Sequence, residues 1–189
     1  SYEKPILVTS NQTIKAAYFE NGKAKSANIE QPFFITKSTG KKIELIHQPH
    51  ENYGIGGSFT LVDGMKGNTS KFGRDWLGFW GKDMNATIDL GKTEMISKIS
   101  INTLLSEGSW IYYPKSIGIL VSKDGENYIP ITIVSSKEIH ENKGKIVVEF
   151  DKQNVQFIKV IAENNGIISH GNPGAGSNSW LFVDEISVE

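Results

Sequence analysis

Acidic and histidine side chains are the groups in this sequence that could carry hydrolytic chemistry, and their spacing does not favour it. The one adjacent Asp-Glu pair, Asp184-Glu185, lies in the apolar run WLFVDEISV. Successive side chains of a β-strand point to opposite faces, so we expect these two carboxyls to face apart and not to act on one bond. The histidines have no Gly-x-Ser-x-Gly motif beside them that would present a nucleophilic serine. The sequence therefore predicts a chain that is not an enzyme.

The charge balance argues against several kinds of partner. Among 189 residues, 20 are basic and 21 acidic, which gives a formal net charge of −1. A chain of this kind lacks the basic excess that draws proteins to nucleic-acid phosphates or anionic lipids. No apolar run approaches the roughly 18 to 20 residues that cross a bilayer. We expect no nucleic-acid partner and no membrane insertion, with any targeting signal outside these residues.

Short, β-branched apolar stretches separated by turn residues predict an all-β fold. The strand candidates recur at the spacing of a β-sandwich, and Asp-Gly, Asn-Lys-Gly and Asn-Asn-Gly turns lie between them. The candidates are residues 86–91, 98–105, 116–122, 128–135, 144–150, 157–164 and 180–188. No segment keeps a 3.6-residue apolar period, so few helices are expected. Cysteine is absent, which excludes disulfides and thiolate metal sites.

The N-terminal residues form a separate group of short strand candidates around an Asn21-Gly22 turn. Their apolar side chains are too few to close a core alone. We therefore predict that residues 1–37 are a short β-hairpin segment that leans on another unit, and that residues 38–189 form the main domain. Two further strand candidates, with a turn between them, are residues 32–36 and 42–47.

Four sequence motifs occur in a characteristic order along the chain. They are LVDG (61–64), WLGFWGKDMNATIDLG (76–91), SIGILVSKDGENY (116–128) and WLFVDEISV (180–188). Their order and spacing resemble the coagulation factor 5/8 type C, or discoidin, family. The resemblance implies a galactose-binding-like jelly-roll β-sandwich.

Narrower motifs point within that family. GFWGKDMNATIDLG (78–91), SWIYYP (109–114) and HGNPGAGSNSWLFVDEI (170–186) resemble the version carried behind family 20 glycoside hydrolases, the β-N-acetylhexosaminidases and chitobiases. Residues 5–26 resemble the last strands of the small linking β-sandwich of such enzymes. The resemblance implies a monomeric, non-catalytic accessory module whose partners are glycans and the catalytic domain of the same polypeptide. It also implies a secreted, periplasmic or cell-surface location.

A structural calcium ion often lies between the Asp-Gly loop and the last strand in this family. The matching oxygen donors are Asp63, Lys66 through its carbonyl, Asn68 and Glu185. Calcium takes six to eight hard oxygen ligands, and Gly64 and Gly67 would let the loop turn around it. In the alternative interpretation Asp63 only caps the turn by accepting backbone N–H groups. The loop from Asp63 to Trp76 is longer than is usual in the family, so the resemblance does not say which residue after Asp63 donates an oxygen.

Sugar binding in this fold uses loop aromatics, which stack on a pyranose while polar groups bond its hydroxyls. The predicted carbohydrate-binding residues are Arg74, Trp80, Trp110, Tyr112 (or its neighbour Tyr113), His170 and Asn172, for glycans of N-acetylhexosamine or galactose type. We expect Trp76 in the core and Trp180 packed. The alternative is a structural domain whose aromatic loops dock on the catalytic barrel without binding sugar.

Overall fold

The computed structural model describes residues 2–70 and 72–189, without the side chains of Phe72 and Arg74. Strands dominate this part of the chain. The strands are β1 (Gln12–Ala16), β2 (Phe19–Glu20), β3 (Lys23–Ala24), β4 (Ile29–Phe33), β5 (Lys42–Leu45), β6 (Leu77–Trp80), β7 (Met84–Thr103), β8 (Ser116–Ser122), β9 (Ile129–Ser135), β10 (Lys145–Glu163) and β11 (Trp180–Val188). The helices are α1 (Phe72–Asp75), α2 (Ser136–Glu141) and short 3-10 turns at Glu51–Tyr53, Gly57–Leu61 and Glu107–Ser109.

Two very long strands, β7 and β10, build both layers of a β-sandwich. The first half of β7 pairs with β5 and with the second half of β10, which continues through β8 to β9. The second half of β7 pairs with β11 and with the first half of β10, and β11 continues to β6. One layer is therefore β5-β7-β10-β8-β9 and the other is β10-β7-β11-β6. The prediction of an all-β sandwich is confirmed.

The core lies between the layers because inward positions alternate with outward ones along each strand. In β7 the buried inward side chains are Met84, Ala86, Ile88 and Leu90. Burial of each of the three large side chains, Met84, Ile88 and Leu90, contributes about 1.5 to 3 kcal/mol. A smaller cluster at one end contains Trp76, Leu104, Ile111 and Phe182. Trp76 is only 3% exposed, which confirms its prediction as a core residue.

The division of the long strands differs from the sequence prediction. Residues 86–91 and 98–105 belong to the single strand β7, and residues 144–150 and 157–164 belong to β10. The pairing register of β7 and β10 shifts twice, between Glu149 and Gln153 and between Val155 and Phe157. Such irregularities bend a strand without ending it. An alternating pattern cannot distinguish one bent strand from two separate strands.

The strands on either side of the Ser38–Gly40 turn do not pair with each other. β4 pairs with β1, whereas β5 joins the main sandwich beside β7. The turn itself is fixed to β11, because the Ser38 hydroxyl donates to the Ile186 carbonyl at 2.7 Å and accepts the Val188 N–H at 3.1 Å. Since Ser38 is fully buried, these bonds hold the entry to the sandwich in place.

The N-terminal strands lie outside the two layers. β1 pairs only with β4 in the described chain, and β2 pairs with β3 across the predicted turn, where Asn21 and Gly22 have φ values of 49° and 74°. Neither core cluster includes a described side chain before residue 43. The division at residue 37 stays a prediction.

In the described part of the chain, no helix combines the length and apolarity needed to cross a lipid bilayer.

Candidate functional site

Three indoles meet at one end of the sandwich. Trp80 ends β6 and pairs in register with Trp180, the first residue of β11. The Trp80 ring stacks on Trp110 with 6.2 Å between centroids and 28° between planes, and lies 4.7 Å from the Trp180 ring. We call Trp80, Trp110 and Trp180 the tryptophan cluster. Sequence reasoning placed Trp80 in a loop; the structure places it at a strand end, where the sheet fixes its backbone.

Trp110 is held in an unusual backbone conformation. Its φ of 61° is left-handed, and its carbonyl accepts the Trp180 N–H at 2.9 Å. A Cβ on Gly174 would lie 2.7 Å from the Trp110 ring, so the loop backbone packs directly on the indole. Trp110 is nevertheless 40% exposed. The indole is therefore fixed in position while part of its surface faces solvent.

Tyr112 contacts the loop that contains Gly174 from its buried side. Its hydroxyl donates to the Pro173 carbonyl at 2.9 Å, and the side chain is buried. This bond ties the loop of residues 169–177 to the segment that carries Trp110. The structure thus places Tyr112 beneath the surface that the other predicted residues form.

His170 and Asn172 lie exposed on that loop, within a few residues of the Gly174 contact with Trp110. The loop is ordered by its own backbone, since the Asn172 N–H donates to the Ser169 carbonyl at 3.2 Å. The Arg74 side chain lies outside the described residues. Its helix α1 precedes Trp76, at the opposite end of β6 from Trp80.

An open cleft of about 500 Å³ lies beside Trp80, and sequence reasoning missed most of it. It is lined by Ile46, His47, Gln48, Pro49, His50, Trp80 and Lys82. The signal available in the sequence was the run His47-Gln48-Pro49-His50 between two elements, which places three polar side chains close together.

His50 is the most firmly placed of these polar residues. Its backbone N–H donates to the Gly78 carbonyl at 2.8 Å, and its ring packs edge-on against Trp180 with 5.1 Å between centroids. The Asn52 N–H lies 3.2 Å from Nδ1, so Nδ1 acts as acceptor and Nε2 carries the proton of the neutral ring. The cleft thus combines aromatic surface with hydrogen-bond donors, which suits a ligand with an apolar face and polar edges.

A second cluster, of carboxyl groups, lies near the other end of β6. In the pairing of β11 with β7, Val183 opposes Thr103 and Ile186 opposes Ile101. Asp184 and Glu185 therefore both lie opposite the single residue Asn102, which is the pairing of a β-bulge. The prediction that the two carboxyls point to opposite faces is therefore wrong, because the bulge interrupts the alternation.

Both carboxylates contact the loop of residues 63–68. Asp184 Oδ2 accepts the Gly67 N–H at 2.7 Å, and Glu185 Oε2 accepts the Gly64 N–H at 3.2 Å. Asp184 and Glu185 are almost fully buried, at 1% and 2% exposure. The loop of residues 63–68 therefore covers most of the surface of both side chains.

Burial shifts the protonation of these carboxyls. It raises the pKa of Glu185 to about 9, with the nearby charge of Asp63 adding to the effect. Burial also raises the pKa of Asp184 and of Asp63 to about 6. Glu185 Oε1 is buried without a hydrogen-bond partner in the described structure. A buried carboxyl oxygen without a partner is the kind of atom that a cation or a proton satisfies.

Two other predicted calcium ligands, Asp63 and Asn68, already accept backbone hydrogen bonds. Asp63 Oδ1 accepts the Met65 N–H at 2.8 Å, as turn capping requires. Asn68 Oδ1 accepts from the Ser70 N–H at 2.8 Å. The Lys66 ammonium lies 4.7 Å from the centroid of the Phe34 ring, and the predicted role of the Lys66 carbonyl stays a prediction. Among the described residues no three His, Asp or Glu side chains are placed to hold a metal together. A cation beside Glu185 would therefore need carbonyl oxygens of the loop as well.

Comparison with known proteins identifies the class of this chain. The model of the F5/8 type C domain matches residues 45–181, so the chain belongs to that family. The sequence matches no curated protein.

Several solved structures share the fold. Chitosan-binding module 1 of a Paenibacillus sp. IK-5 chitosanase/glucanase is 13% identical over 82% of this chain and 98% of its own, with a TM-score of 0.53. The Streptococcus pneumoniae fucose binding module SpX-3 is 14% identical over the same shares, with a TM-score of 0.57. The Clostridium perfringens module CpGH89CBM32-5, in complex with GalNAc-β-1,3-galactose, is 16% identical over 78% of this chain and 93% of its own, with a TM-score of 0.51. The predicted galactose-binding-like (discoidin) sandwich is thereby confirmed.

Proposed function

We propose that this chain is a non-catalytic carbohydrate-binding module whose glycan rests on the tryptophan cluster and enters the cleft beside Trp80. The observation that carries the proposal is the Trp80–Trp110 stack, fixed by backbone contacts at the edge of a cleft with hydrogen-bond donors. Indole faces match the apolar face of a pyranose, and His50, Gln48 and Lys82 can bond its hydroxyls.

The relatives support this class of ligand. One solved structure is named as a chitosan-binding module, another as a fucose binding module, and a third holds GalNAc-β-1,3-galactose. Within that range we propose glycans of N-acetylhexosamine or galactose type for this chain. Binding by a single shallow aromatic surface is expected to be weak, because little area is buried.

We further propose that the module belongs to a secreted, periplasmic or cell-surface glycoside hydrolase of the β-N-acetylhexosaminidase type. This rests on the resemblance of residues 78–91, 109–114 and 170–186 to the modules behind such enzymes. In the competing function, the same end of the sandwich docks on the catalytic domain. Exposed Ile46, at the cleft beside Trp80, is the feature that favours docking.

A calcium ion beside Glu185 is part of the proposal. The unpartnered Oε1 and the carboxylate of Asp63 nearby supply negative charge, and the surrounding loop can supply carbonyl oxygens. Bound calcium would neutralise these carboxylates and fix the loop to β11. We expect calcium to raise the melting temperature at pH 8 and a chelator to reverse the effect. Glu185→Gln should abolish the calcium response while the chain stays folded; an unchanged response would contradict the proposed site.

Glycan binding can be tested by calorimetry with chitobiose, N-acetylgalactosamine and galactose. Trp110→Ala should weaken the affinity for sugar by at least about tenfold, which corresponds to a loss of about 1.4 kcal/mol of binding free energy. Phe59→Ala is a matched control, because Phe59 is an exposed aromatic outside the cluster and the cleft. Equal affinities for wild type and Trp110→Ala would contradict this site, and a chain that binds no glycan on an array would leave docking as the function.

A further inference from the structure

A second cleft, of about 420 Å³, lies at the opposite end of β6 from Trp80. It opens between the loop of residues 63–68, the end of β7 and the start of β10. Its lining includes Lys66, Lys143 and Lys145, together with Asn102 and Thr69. We call it the lysine cleft. Since β6 spans four residues at about 3.3 Å each, Trp76 at this cleft and Trp80 at the first are about 13 Å apart.

In the described structure the three lysines form no close ion pair with a carboxylate, although the charge of Lys66 acts on Asp184 and lowers its pKa. None of them takes part in an ion pair, although seven other lysines do. Lys66 instead lies over the Phe34 ring. Three lysines thus contribute to the lining of one concave surface, and a cleft lined mainly by one sign of charge concentrates ions of the other sign.

The backbone that presents two of these lysines is rigid and strained. Lys143 has a left-handed φ of 52°, a conformation that is costly for a residue with a side chain. The turn is held by the Gly144 N–H, which donates to the Ile139 carbonyl at 2.9 Å, and by the Thr103 N–H, which donates to the Gly144 carbonyl at 2.8 Å. A Cβ on Gly144 would lie 2.3 Å from the Thr103 carbonyl. Lys143 and Lys145 are thereby fixed relative to the end of β7.

The one carboxyl group in the lining of the cleft, that of Asp184, already accepts hydrogen bonds from the protein. Asp184 accepts the Gly67 N–H at 2.7 Å and the Asn102 side-chain N–H at 3.4 Å, and it is almost fully buried. Lys145 pairs in register with Asn102, so both side chains stand on the same face of the sheet. The accessible charge of the lining is therefore positive and comes mainly from exposed Lys143 and Lys145.

We propose that the lysine cleft binds an oxyanion group, a carboxylate, sulfate or phosphate, on a ligand that neither the tryptophan cluster nor the cleft beside Trp80 contacts. Ammonium groups form charge-assisted hydrogen bonds to such oxygens, and Thr69 and Ser106 add neutral donors at the edge. The site does not depend on the proposed sugar function, because its residues are distinct.

The test is an NMR titration of the whole ¹⁵N-labelled chain with sodium sulfate, sodium phosphate and galacturonate, each at constant ionic strength against chloride. We expect at least one anion to produce saturable shifts confined to the amides of Gly67 and Gly144 and the side chain of Asn102. The anion that saturates at the lowest concentration identifies the chemistry of the natural ligand.

The double variant Lys143→Gln/Lys145→Gln should weaken this binding about three- to tenfold, as expected for the loss of two solvent-exposed charge contacts. Lys152→Gln is the control, because Lys152 is exposed on β10 and outside the cleft. Melting curves report whether each variant stays folded. The proposal is overturned if all three anions produce only diffuse, non-saturating shifts, or if the double variant binds as tightly as wild type.

Discussion

Close contacts between glycine backbones and indole rings fix the positions of two tryptophans, one near each end of β6. At one end Gly174 meets Trp110, and at the other a Cβ on Gly67 would lie 2.3 Å from Nε1 of Trp76. Gly67 also donates its N–H to Asp184, so the loop, the buried tryptophan and the bulge of β11 meet at this residue. A single added methyl group there must displace a core side chain.

Gly67→Ala should therefore destabilise the chain by about 1 to 3 kcal/mol, the usual cost of overpacking. Gly108→Ala is the matched control, because no atom lies within 4 Å of a Cβ built there. Urea unfolding of both variants measures the difference. Equal stability for the two would show that Trp76 is not packed against Gly67 as described.

The buried carboxyls make stability depend on pH in a definite direction. Burial raises the pKa of Glu185 to about 9 and that of Asp184 to about 6. Above the ordinary carboxyl value of about 4, the folded chain thus holds protons that the unfolded chain has released. We expect the metal-free chain to lose stability as the pH rises from 5 to 9, and Glu185→Gln to flatten that slope. Stability that rises over this range in the metal-free chain would contradict the burial of Glu185.

At the scale of elements, the loop of residues 169–177 positions the exposed indole. Its contact through Gly174 requires both a left-handed φ of 83° and the absence of a side chain. Tyr112 fixes the neighbouring carbonyl of Pro173 from the buried side. Strands hold Trp80 and Trp180, whereas this loop determines which surface of Trp110 stays open.

Gly174→Ala should displace Trp110 and weaken glycan binding, with a change in the near-ultraviolet circular dichroism of the stacked indoles. Gly176→Ala is a stringent control: its φ of 86° imposes the same backbone strain, but no atom lies within 4 Å of the new Cβ. If both variants lose the same affinity, backbone strain and not the contact with Trp110 is responsible.

The elements also show where sequence reasoning succeeds and where it fails. The strand pattern identified β8 and β11 at their observed bounds, because each of them stays within one layer. It could not foresee the bulge that brings Asp184 and Glu185 together, since a two-for-one pairing depends on the partner strand. Helix α2 was missed although Ser135 and Glu138 form a capping box, because six residues carry no apolar period.

Part of the candidate sugar site could also be predicted from the sequence. Trp80, Trp110 and the loop of His170 were identified as aromatic and polar residues near turns, and the structure brings them to one end of the sandwich. The cleft residues His47 and His50 were not, because their approach to Trp80 depends on the connection after β5. Contacts between segments distant in sequence leave no local pattern.

At the scale of the whole molecule, strands β1 to β4 lie outside the main sheet of the sandwich. Neither core cluster uses a described side chain before residue 43, and hydrogen bonds connect the N-terminal residues to the sandwich. They include the Phe34 N–H to the Gly64 carbonyl at 2.7 Å and the Lys37 N–H to the Val188 carbonyl at 2.9 Å. The boundary at residue 37 stays a prediction.

Removal of residues 1–37 should leave a folded sandwich. The removal breaks three backbone hydrogen bonds, two donated by the N–H groups of Phe34 and Lys37 and one accepted by the Thr36 carbonyl, and also the bond from the Lys37 ammonium to the Met95 carbonyl. At about 0.5 to 1.5 kcal/mol for each bond, the expected cost in unfolding free energy is about 2 to 6 kcal/mol. Glycan affinity should stay within twofold of the full chain, because the tryptophan cluster lies elsewhere. A truncated chain that fails to fold would instead show that residues 1–37 are an integral part of the sandwich.

The central claim is that the tryptophan cluster binds sugar, and the indole N–H signals of the four tryptophans test it most directly. On titration with chitobiose, N-acetylgalactosamine or galactose, we predict saturable shifts for Trp80 and Trp110 and none for buried Trp76. The claim would be contradicted if the indole N–H signals of Trp80 and Trp110 stayed unchanged at saturating sugar while other signals moved, or if none of the three sugars shifted any indole signal.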